Sequence, residues 1–108
     1  IVGDTWGKFR RELKLFEAFE IHTRMLGWDD KWSFVEHRFV SGGRTVGVIV
    51  IRGLFRSANG TVSPGEFARG MGLDERSPDM PAWLREWSAS CDDMSGQLRQ
   101  EEGLGLAP

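Results

Sequence analysis

The 108-residue sequence contains one cysteine, no tyrosine and no long hydrophobic run. A single cysteine, Cys91, cannot form a disulfide within the chain, and it excludes a metal or redox site that needs two cysteines in C-x-x-C spacing. This cysteine usage suits a reducing cytoplasm. No segment approaches the ~18 apolar residues that a membrane span requires, and none has the pattern of a signal peptide. We therefore expect a cytoplasmic protein without membrane contact.

An excess of charge of one sign is also lacking, since the formal net charge is −2. Residues 1–56 contain ten Lys and Arg against seven Asp and Glu, whereas residues 57–108 contain four against nine. A basic sheet beside an acidic helical part is the simplest interpretation. The near balance of charge argues against a nucleic-acid partner, although an anionic ligand would be favoured on the basic half.

The first half of the chain has the composition of β-strands. Residues 1–8 lack a clear period and predict a loop, whereas residues 9–16 alternate in part and predict an edge strand. Three further strands are predicted over residues 17–26, 32–40 and 45–55. Their connections, residues 27–31 and the pair Gly42 and Gly43, contain the glycines typical of antiparallel hairpins. Residues 46–51 are apolar except at Gly47, which predicts a central strand of a β-meander.

The second half of the chain has helical signals. Residues 56–61 predict a loop with a turn at Asn59 and Gly60. Ser63 followed by Pro64 and Glu66 is a helix start, so a short helix is predicted over residues 64–71, with Gly72 just beyond its end. Residues 74–81 predict a connector. A longer helix is predicted from residue 81 to Gly103, because apolar residues recur every three or four positions: Trp83, Leu84, Trp87, Cys91, Met94 and Leu98.

Residues 103–108 predict a mobile tail. Together the patterns predict an α+β domain spanning residues 1–108. It would be a curved antiparallel meander of about four strands, followed by the short helix and the longer C-terminal amphipathic helix.

Two pairs of titratable residues are candidates for chemistry. His22 and His37 lie on adjacent predicted strands, which suggests a metal site or an acid–base pair, although no third ligand is evident and surface residues are the simpler interpretation. Asp29 and Asp30 could form a pair of carboxylates, but turn chemistry explains them more simply. We expect no metal and no cofactor.

Glu36 lies in an otherwise apolar stretch, where a carboxylate could act as a base. A cross-strand ion pair with Arg24 or Arg38 is the alternative. Cys91, within a helical apolar stripe, is expected to pack as a small hydrophobic residue rather than to act as a nucleophile.

Aromatic and basic residues supply the remaining candidates. Trp28 and Trp32 flank the first hairpin turn and could either line a ligand site or clamp the hairpin. Arg44, Arg52 and Arg56 lie in or beside the long strand and could bind phosphates, although solvated strand ends are the simpler alternative.

Three segments resemble a known family: residues 13–20, 23–32 and 36–40. They are similar to the hotdog-fold acyl-CoA thioesterase superfamily, in the branch of hydroxybenzoyl-CoA thioesterase-like proteins. The resemblance covers residues 8–73, extends weakly through Trp83 and Trp87, and is most specific at the Leu-Gly-Trp-Asp turn, residues 26–29. The stretch from Gly60 to Phe67 also fits this branch.

The resemblance implies a strand, a long central helix and then a curved antiparallel sheet wrapped round that helix. It implies a homodimer whose active site, at the interface, hydrolyses an acyl-CoA thioester. The family's first strand and central helix, which supply its catalytic acid, have no counterpart before Phe9, so the resemblance assigns no catalytic residue. The chain is then either the C-terminal part of a longer protein or a protein that covers its sheet differently.

If the sheet is covered differently, the helix at residues 83–98 is expected to cover the face bearing Phe19, Ile21, Val48 and Val50, in its own subunit or in a partner. The homodimer would form through the sheet or through this helix. A second hypothesis is a non-catalytic binding or assembly module that keeps the sheet and has lost the catalytic helix.

Overall fold

The computed structural model describes residues 1–105, so the last three residues of the predicted tail at 103–108 lie outside the described part. Six strands precede two helices in the chain. The strands are β1 (Val2–Phe9), β2 (Glu20–Trp28), β3 (Ser33–Ser41), β4 (Arg44–Gly53), β5 (Phe55–Ser57) and β6 (Gly60–Val62). The helices are α1 (Pro64–Gly70) and α2 (Ala82–Gly103). The α+β class predicted from the sequence is confirmed.

The main sheet is antiparallel and has the strand order β1-β4-β3-β2. Strands β2, β3 and β4 follow one another as the predicted meander, and β4 is central, as the apolar run at residues 46–51 indicated. The second hairpin turns at Gly42 and Gly43, which both have positive φ. The chain therefore passes from β1 at one edge of the sheet to β2 at the other through residues 10–19.

The first strand differs from the prediction. Residues 1–8, predicted as a loop, contain most of β1, whereas residues 10–16 of the predicted edge strand lie in a loop. Pairing with the distant strand β4 determines which residues form the first strand, and Thr5, for example, lies opposite Ile51. Gly3 also allows close packing, because a Cβ there would lie 2.5 Å from Cζ3 of Trp32. Local alternation at residues 9–16 contains no information about such pairing.

The loop between β1 and β2 is organised by Glu17. Its carboxylate accepts hydrogen bonds from Nη2 of Arg11 at 2.7 Å, the backbone N–H of Lys14 at 3.0 Å and Oγ of Ser41 at 2.6 Å. These contacts, the Arg11 bond above all, lower the pKa of Glu17 to about 2. Phe16 has a φ of 65°, an uncommon conformation for a residue with a side chain. The Glu17 contacts therefore hold a folded loop rather than a strand.

A small hairpin and a short helix follow the sheet. Residues 56–61, predicted as a loop, instead form much of the β5–β6 hairpin, which turns at Ala58 and Asn59, just before Gly60 begins β6. The predicted start of α1 is confirmed, because Oγ of Ser63 accepts a hydrogen bond from the backbone N–H of Glu66 at 3.3 Å. Gly72, with a φ of 74°, follows the helix as expected. The rings of Phe55 and Phe67 stack 4.2 Å apart and join hairpin to helix.

Helix α2 packs on the main sheet through its first half only. Leu84 is fully buried against Phe34 and Val50, while the rings of Trp83 and Trp6 stack with centroids 5.4 Å apart. Beyond Asp92 the apolar stripe continues into solvent, since Met94 is 56% and Leu98 is 48% exposed. The predicted helix is confirmed, but the last two residues of its six-residue apolar stripe, Met94 and Leu98, are exposed.

The four residues predicted to share one sheet face lie on two different faces: Phe19, Ile21, Val48 and Val50. Val48 and Val50 point toward α2, as their contacts with the buried core indicate. Ile21 lies opposite Phe39, which in turn lies opposite Gly47, so Ile21 points to the other face. Phe19 contacts Phe39 on that side. Side chains alternate between faces along a strand, and the register of pairing decides which positions share a face. Helix α2 therefore leaves Phe19 and Ile21 uncovered.

Truncation at two positions of α2 should separate its packed half from its exposed half. We expect Leu84→Ala to lower the free energy of unfolding by about 2–5 kcal/mol, because it leaves a cavity in the core. The matched variant Leu98→Ala should change it by about 0.5 kcal/mol or less. Urea titration followed by tryptophan fluorescence measures both values. Equal losses would show that the second half of α2 is also buried.

The lowered pKa of Glu17 predicts a pH dependence of stability. In the unfolded chain this carboxyl group titrates near its ordinary pKa of 4.5, and in the folded chain near 2. Its contribution to stability is therefore complete above about pH 4.5 and is lost as the pH falls toward 2. The difference in urea midpoint between the native sequence and Glu17→Gln should shrink over this range. A difference that is constant from pH 7 to pH 2 would contradict the hydrogen-bonded carboxylate.

Candidate functional site

Arg52 is a buried cation at the end of β4, with only 1% of its surface exposed. Its Nη1 donates to Oδ2 of Asp4 at 2.8 Å, and its Nη2 donates to Oδ1 of Asp92 on α2. The guanidinium lies over the ring of Trp32, 3.9 Å from the centroid. Two carboxylates and an aromatic face thus compensate the buried charge. The arrangement ties β1, β4, α2 and the turn before β3 together.

Cys91 lies beside this cluster and is 8% exposed. Burial, the largest cause, and the nearby carboxylate of Asp4 raise the pKa of its thiol. A thiol kept protonated is a poor nucleophile. The structure therefore agrees with the interpretation of Cys91 as a small packing residue.

Glu36 lies on the same sheet face as Arg52, on β3, and is 2% exposed. Its two carboxylate oxygens accept from Nε and Nη2 of Arg24, at 3.1 and 3.5 Å. They also accept from Nε and Nη2 of Arg38, at 3.1 and 3.3 Å. The predicted cross-strand ion pair is confirmed, since Arg24 lies directly opposite Glu36 on β2. One buried carboxylate is thus shared by two guanidinium groups.

The turn between β2 and β3 is held by Asp29 and Trp28. Oδ1 of Asp29 accepts from the backbone N–H groups of Lys31 at 2.8 Å and Trp32 at 2.6 Å, so the turn role predicted for Asp29 is confirmed. Trp28 donates its backbone N–H to Oγ of Ser77 at 2.9 Å and its indole N–H to a carbonyl of the connector. A polar cleft of about 200 Å³ lies beside this turn. It is lined by Trp28, Asp29, Asp30, Ser63, Gly65, Glu75 and Ser77.

The three arginines considered for phosphate binding are not brought together. Arg44 begins β4 at the exposed hairpin and Arg52 lies eight residues further along the same strand, about 26 Å away at the usual rise per residue. Arg52 is enclosed by its partners, and Arg56 is exposed on β5. Of the predicted substrate-binding residues, the structure places Trp32 against Arg52 and leaves Trp28, Glu36, Arg44 and Arg56 in separate places.

The two histidines point to opposite faces of the sheet. His22 lies opposite Arg38, whereas His37 lies opposite Thr23. Nε2 of His22 lies 2.7 Å from a carboxylate oxygen of Glu20, and Nδ1 of His37 lies 2.8 Å from Oγ1 of Thr23. Within residues 1–105 no group of three His, Cys, Asp or Glu side chains is placed to hold a metal ion. The histidines therefore do not form a joint site.

The sheet face opposite α2 is apolar and open. Strand pairing places Met25 beside Val35 and Ile51, and Ile21 beside Phe39. Ile21 is 54% and Met25 is 43% exposed. The apolar side chains of this face, called the open face below, are Phe9, Phe19, Ile21, Met25, Val35, Phe39, Ile49 and Ile51. Large exposed apolar surfaces of this kind usually mark a binding or interaction site.

Comparison with known proteins identifies the family. Residues 1–88 match the family model of the thioesterase-like superfamily. The chain belongs to this superfamily. The resemblance of residues 13–20, 23–32 and 36–40 to hotdog-fold thioesterases is thereby confirmed, and the sheet with its short and long helices is consistent with a hotdog-like fold.

The relatives of this thioesterase-like chain include proteins from animals and fungi. Protein THEM6 of Xenopus laevis is 36% identical over 99 residues, which are 90% of this chain and 46% of that protein. Protein THEM6 of Danio rerio is 36% identical over 107 residues, 96% of this chain and 51% of the relative. Thioesterase poxG of Penicillium oxalicum is 49% identical over 43 residues, 40% of this chain and 14% of the relative.

The chain spans about half the length of the THEM6 proteins. No solved structure matches it significantly. Within residues 1–105, neither helix combines the length and apolar character needed to cross a membrane.

Sequence reasoning missed the partners of Arg52 in this thioesterase-like chain. Asp4 lies in the segment that was predicted as a loop, and Asp92 lies on a helix whose register against the sheet is not encoded locally. An arginine within an apolar strand was the one available signal, because a buried guanidinium requires acidic partners.

Removal of one carboxylate from Arg52 should destabilise the fold. We expect Asp92→Asn to lower the free energy of unfolding by about 1–3 kcal/mol, because a charged hydrogen bond to a buried cation is lost. Asp93→Asn is the matched control, since Asp93 is exposed on the next position of α2. Chemical denaturation compares the two variants. Equal stability of Asp92→Asn and Asp93→Asn would contradict the role of Asp92.

Proposed function

We propose that this chain is the sheet-bearing part of a thioesterase-like protein that binds an acyl-CoA thioester and hydrolyses it between two copies of the subunit. The observation that carries the proposal is the match to the thioesterase-like superfamily over residues 1–88. Superfamily membership alone does not fix a reaction, so the physical features of the sheet must support the substrate class.

The open face supports an acyl ligand. Its apolar side chains are only partly buried, and each methylene that moves from water onto such a surface contributes about 0.8 kcal/mol. An acyl chain or an aromatic acyl group would therefore gain by lying on β2, β3 and β4 on this side. Thr23 and His37 are polar groups at its centre, 2.8 Å apart.

The proposed reaction is the attack of an activated water on the thioester carbonyl. Backbone N–H groups would stabilise the resulting oxyanion, and the thiolate of CoA would leave as the carbonyl re-forms. Of the residues predicted to bind substrate, Trp28, Glu36, Arg44 and Arg56 remain part of this proposal, whereas Trp32 and Arg52 are engaged with each other. The Arg52 cluster would serve it by fixing the sheet rather than by contacting the ligand.

A homodimer is part of the proposal. Strand β1 pairs with β4 on one side, and its other edge carries unpaired backbone N–H and C=O groups that a second copy could pair. The exposed stripe of α2 at Met94 and Leu98 offers a further apolar contact. A reducing cytoplasm is the proposed location, and the buried thiol of Cys91 is compatible with it.

A non-catalytic binding or assembly module is the second candidate. It is favoured by one observation: among the strand residues of β1–β4 on the open face, His37 is the one titratable side chain. A hydrolase usually needs a positioned acid or base beside the bound substrate. If His37 has no such role and no partner subunit supplies one, the open face would bind a ligand without cleaving it.

A polar substitution on the open face should test the acyl site in the full natural protein. We expect Ile49→Asn to raise KM, or the Kd where no turnover occurs, at least 10-fold for long-chain and aromatic acyl-CoAs. The reason is that the acyl group loses an apolar contact and meets an amide. Thr61→Asn, at an exposed position of β6, is the control. Release of CoA is followed with a thiol reagent.

The outcomes discriminate the two candidates. Hydrolysis that is weakened by Ile49→Asn supports the thioesterase. Binding without release of CoA supports the module, whereas neither binding nor hydrolysis across the panel contradicts both candidates.

A further inference from the structure

The two arginines on Glu36 form an unequal charge cluster. Elsewhere among residues 1–105, each exposed guanidinium in a salt bridge faces one carboxylate, as Arg11 faces Glu17 and Arg76 faces Asp74. Arg52 is shared by two carboxylates. At Glu36 the ratio is reversed, since two guanidinium groups share one carboxylate. One positive charge is therefore left without an anionic partner in the described residues.

The geometry leaves donors available on both arginines. Each guanidinium contacts Glu36 through its Nε and Nη2 atoms. A guanidinium has five N–H donors, so each keeps its Nη1 group and one further N–H. The side chains of Arg24 and Arg38 are 63% and 38% exposed, whereas that of Glu36 is 3% exposed. The free donors thus lie at the surface while the carboxylate that aligns them is buried.

The surrounding sheet favours an anion at this place. Lys8 lies on the same face, in the cross-strand row that contains Val48, Arg38 and His22. The carboxylate of Glu20, also on this face, is 2.7 Å from Nε2 of His22. The backbones of β2 and β3 are paired at these positions, so the two guanidinium groups are carried by a fixed hairpin. Little ordering would be needed before an anion binds.

We propose that Arg24 and Arg38 form a binding site for a phosphate group, with Glu36 as the residue that positions them. Arginine donors match the oxygens of a phosphate in bidentate geometry. Identification of this phosphate as the one on the nucleotide end of CoA rests on the proposed function. A phosphate of another free nucleotide has the same chemistry, so the experiment separates these sources.

The test is calorimetric titration of the protein with 3′,5′-ADP, which carries the 3′-phosphate of the CoA nucleotide and one of its two 5′-phosphates but has no thioester. We expect Arg24→Gln and Arg38→Gln each to raise the Kd for 3′,5′-ADP at least 10-fold, because each substitution removes N–H donors and a positive charge. Arg76→Gln is the matched control, since Arg76 is also exposed and paired with one carboxylate. The Kd should rise with added NaCl in the native sequence and rise less steeply in Arg24→Gln.

Two further measurements keep the result interpretable. Thermal unfolding shows whether Arg38→Gln folds, and Arg24→Gln, on the edge strand with the more exposed side chain, gives an independent variant. ATP and CoA are titrated in parallel. If ATP and 3′,5′-ADP bind with equal affinity and both bind more weakly to the variants, the site is a general phosphate site. If CoA and 3′,5′-ADP bind more tightly than ATP, the CoA assignment is supported.

Unchanged affinity in Arg24→Gln and Arg38→Gln, or no binding of any of the three ligands, overturns the site. Failure of the protein to hydrolyse acyl-CoA would contradict the proposed thioesterase activity but would leave a measured phosphate site standing.

Discussion

The structure depends on how one buried positive charge is compensated. An unpaired guanidinium inside a protein is very costly, so Arg52 can be buried only if Asp4 and Asp92 are brought to it. Asp4 belongs to the first strand and Asp92 to the last helix. The guanidinium of Arg52 also lies on the ring of Trp32, which precedes β3. A single side chain of β4 thus fixes the two ends of the described chain against the middle of the sheet, and its Nε has no hydrogen-bond partner within residues 1–105.

This anchoring makes the two faces of the sheet different. One face receives the first half of α2 over Phe34 and Val50, and beyond the helix it carries the charged cluster of Glu36. The other face stays apolar and open from Phe19 to Ile51. If the proposed acyl-CoA substrate is correct, this division provides separate surfaces for its two ends. The apolar face suits the acyl group, and the guanidinium pair suits a phosphate.

Much of this arrangement could be predicted from sequence, and the part that could not has a physical reason. The meander of β2, β3 and β4 depends on two short turns, one held by Asp29 and one at Gly42 and Gly43, and α1 depends on Ser63. These are all local signals. The ion pair of Arg24 with Glu36 could be predicted because a hairpin sets its register. Strand β1 could not be predicted from sequence, because its pairing with β4 joins residues about fifty positions apart. The prediction that Val48 shares a face with Ile21 failed because the β3–β4 register shifts between Phe39 and Val40, an irregularity that the sequence does not mark.

Helix α2 covers one face of the sheet and leaves the other open. The most direct test is the relaxation of methyl protons of this chain by a soluble paramagnetic agent, which acts only on surfaces that solvent reaches. We expect strong relaxation for Ile21 and Ile49 and little for Val50 and Leu84. Equal protection of Ile49 and Val50 would show that both faces are covered and would contradict an open face.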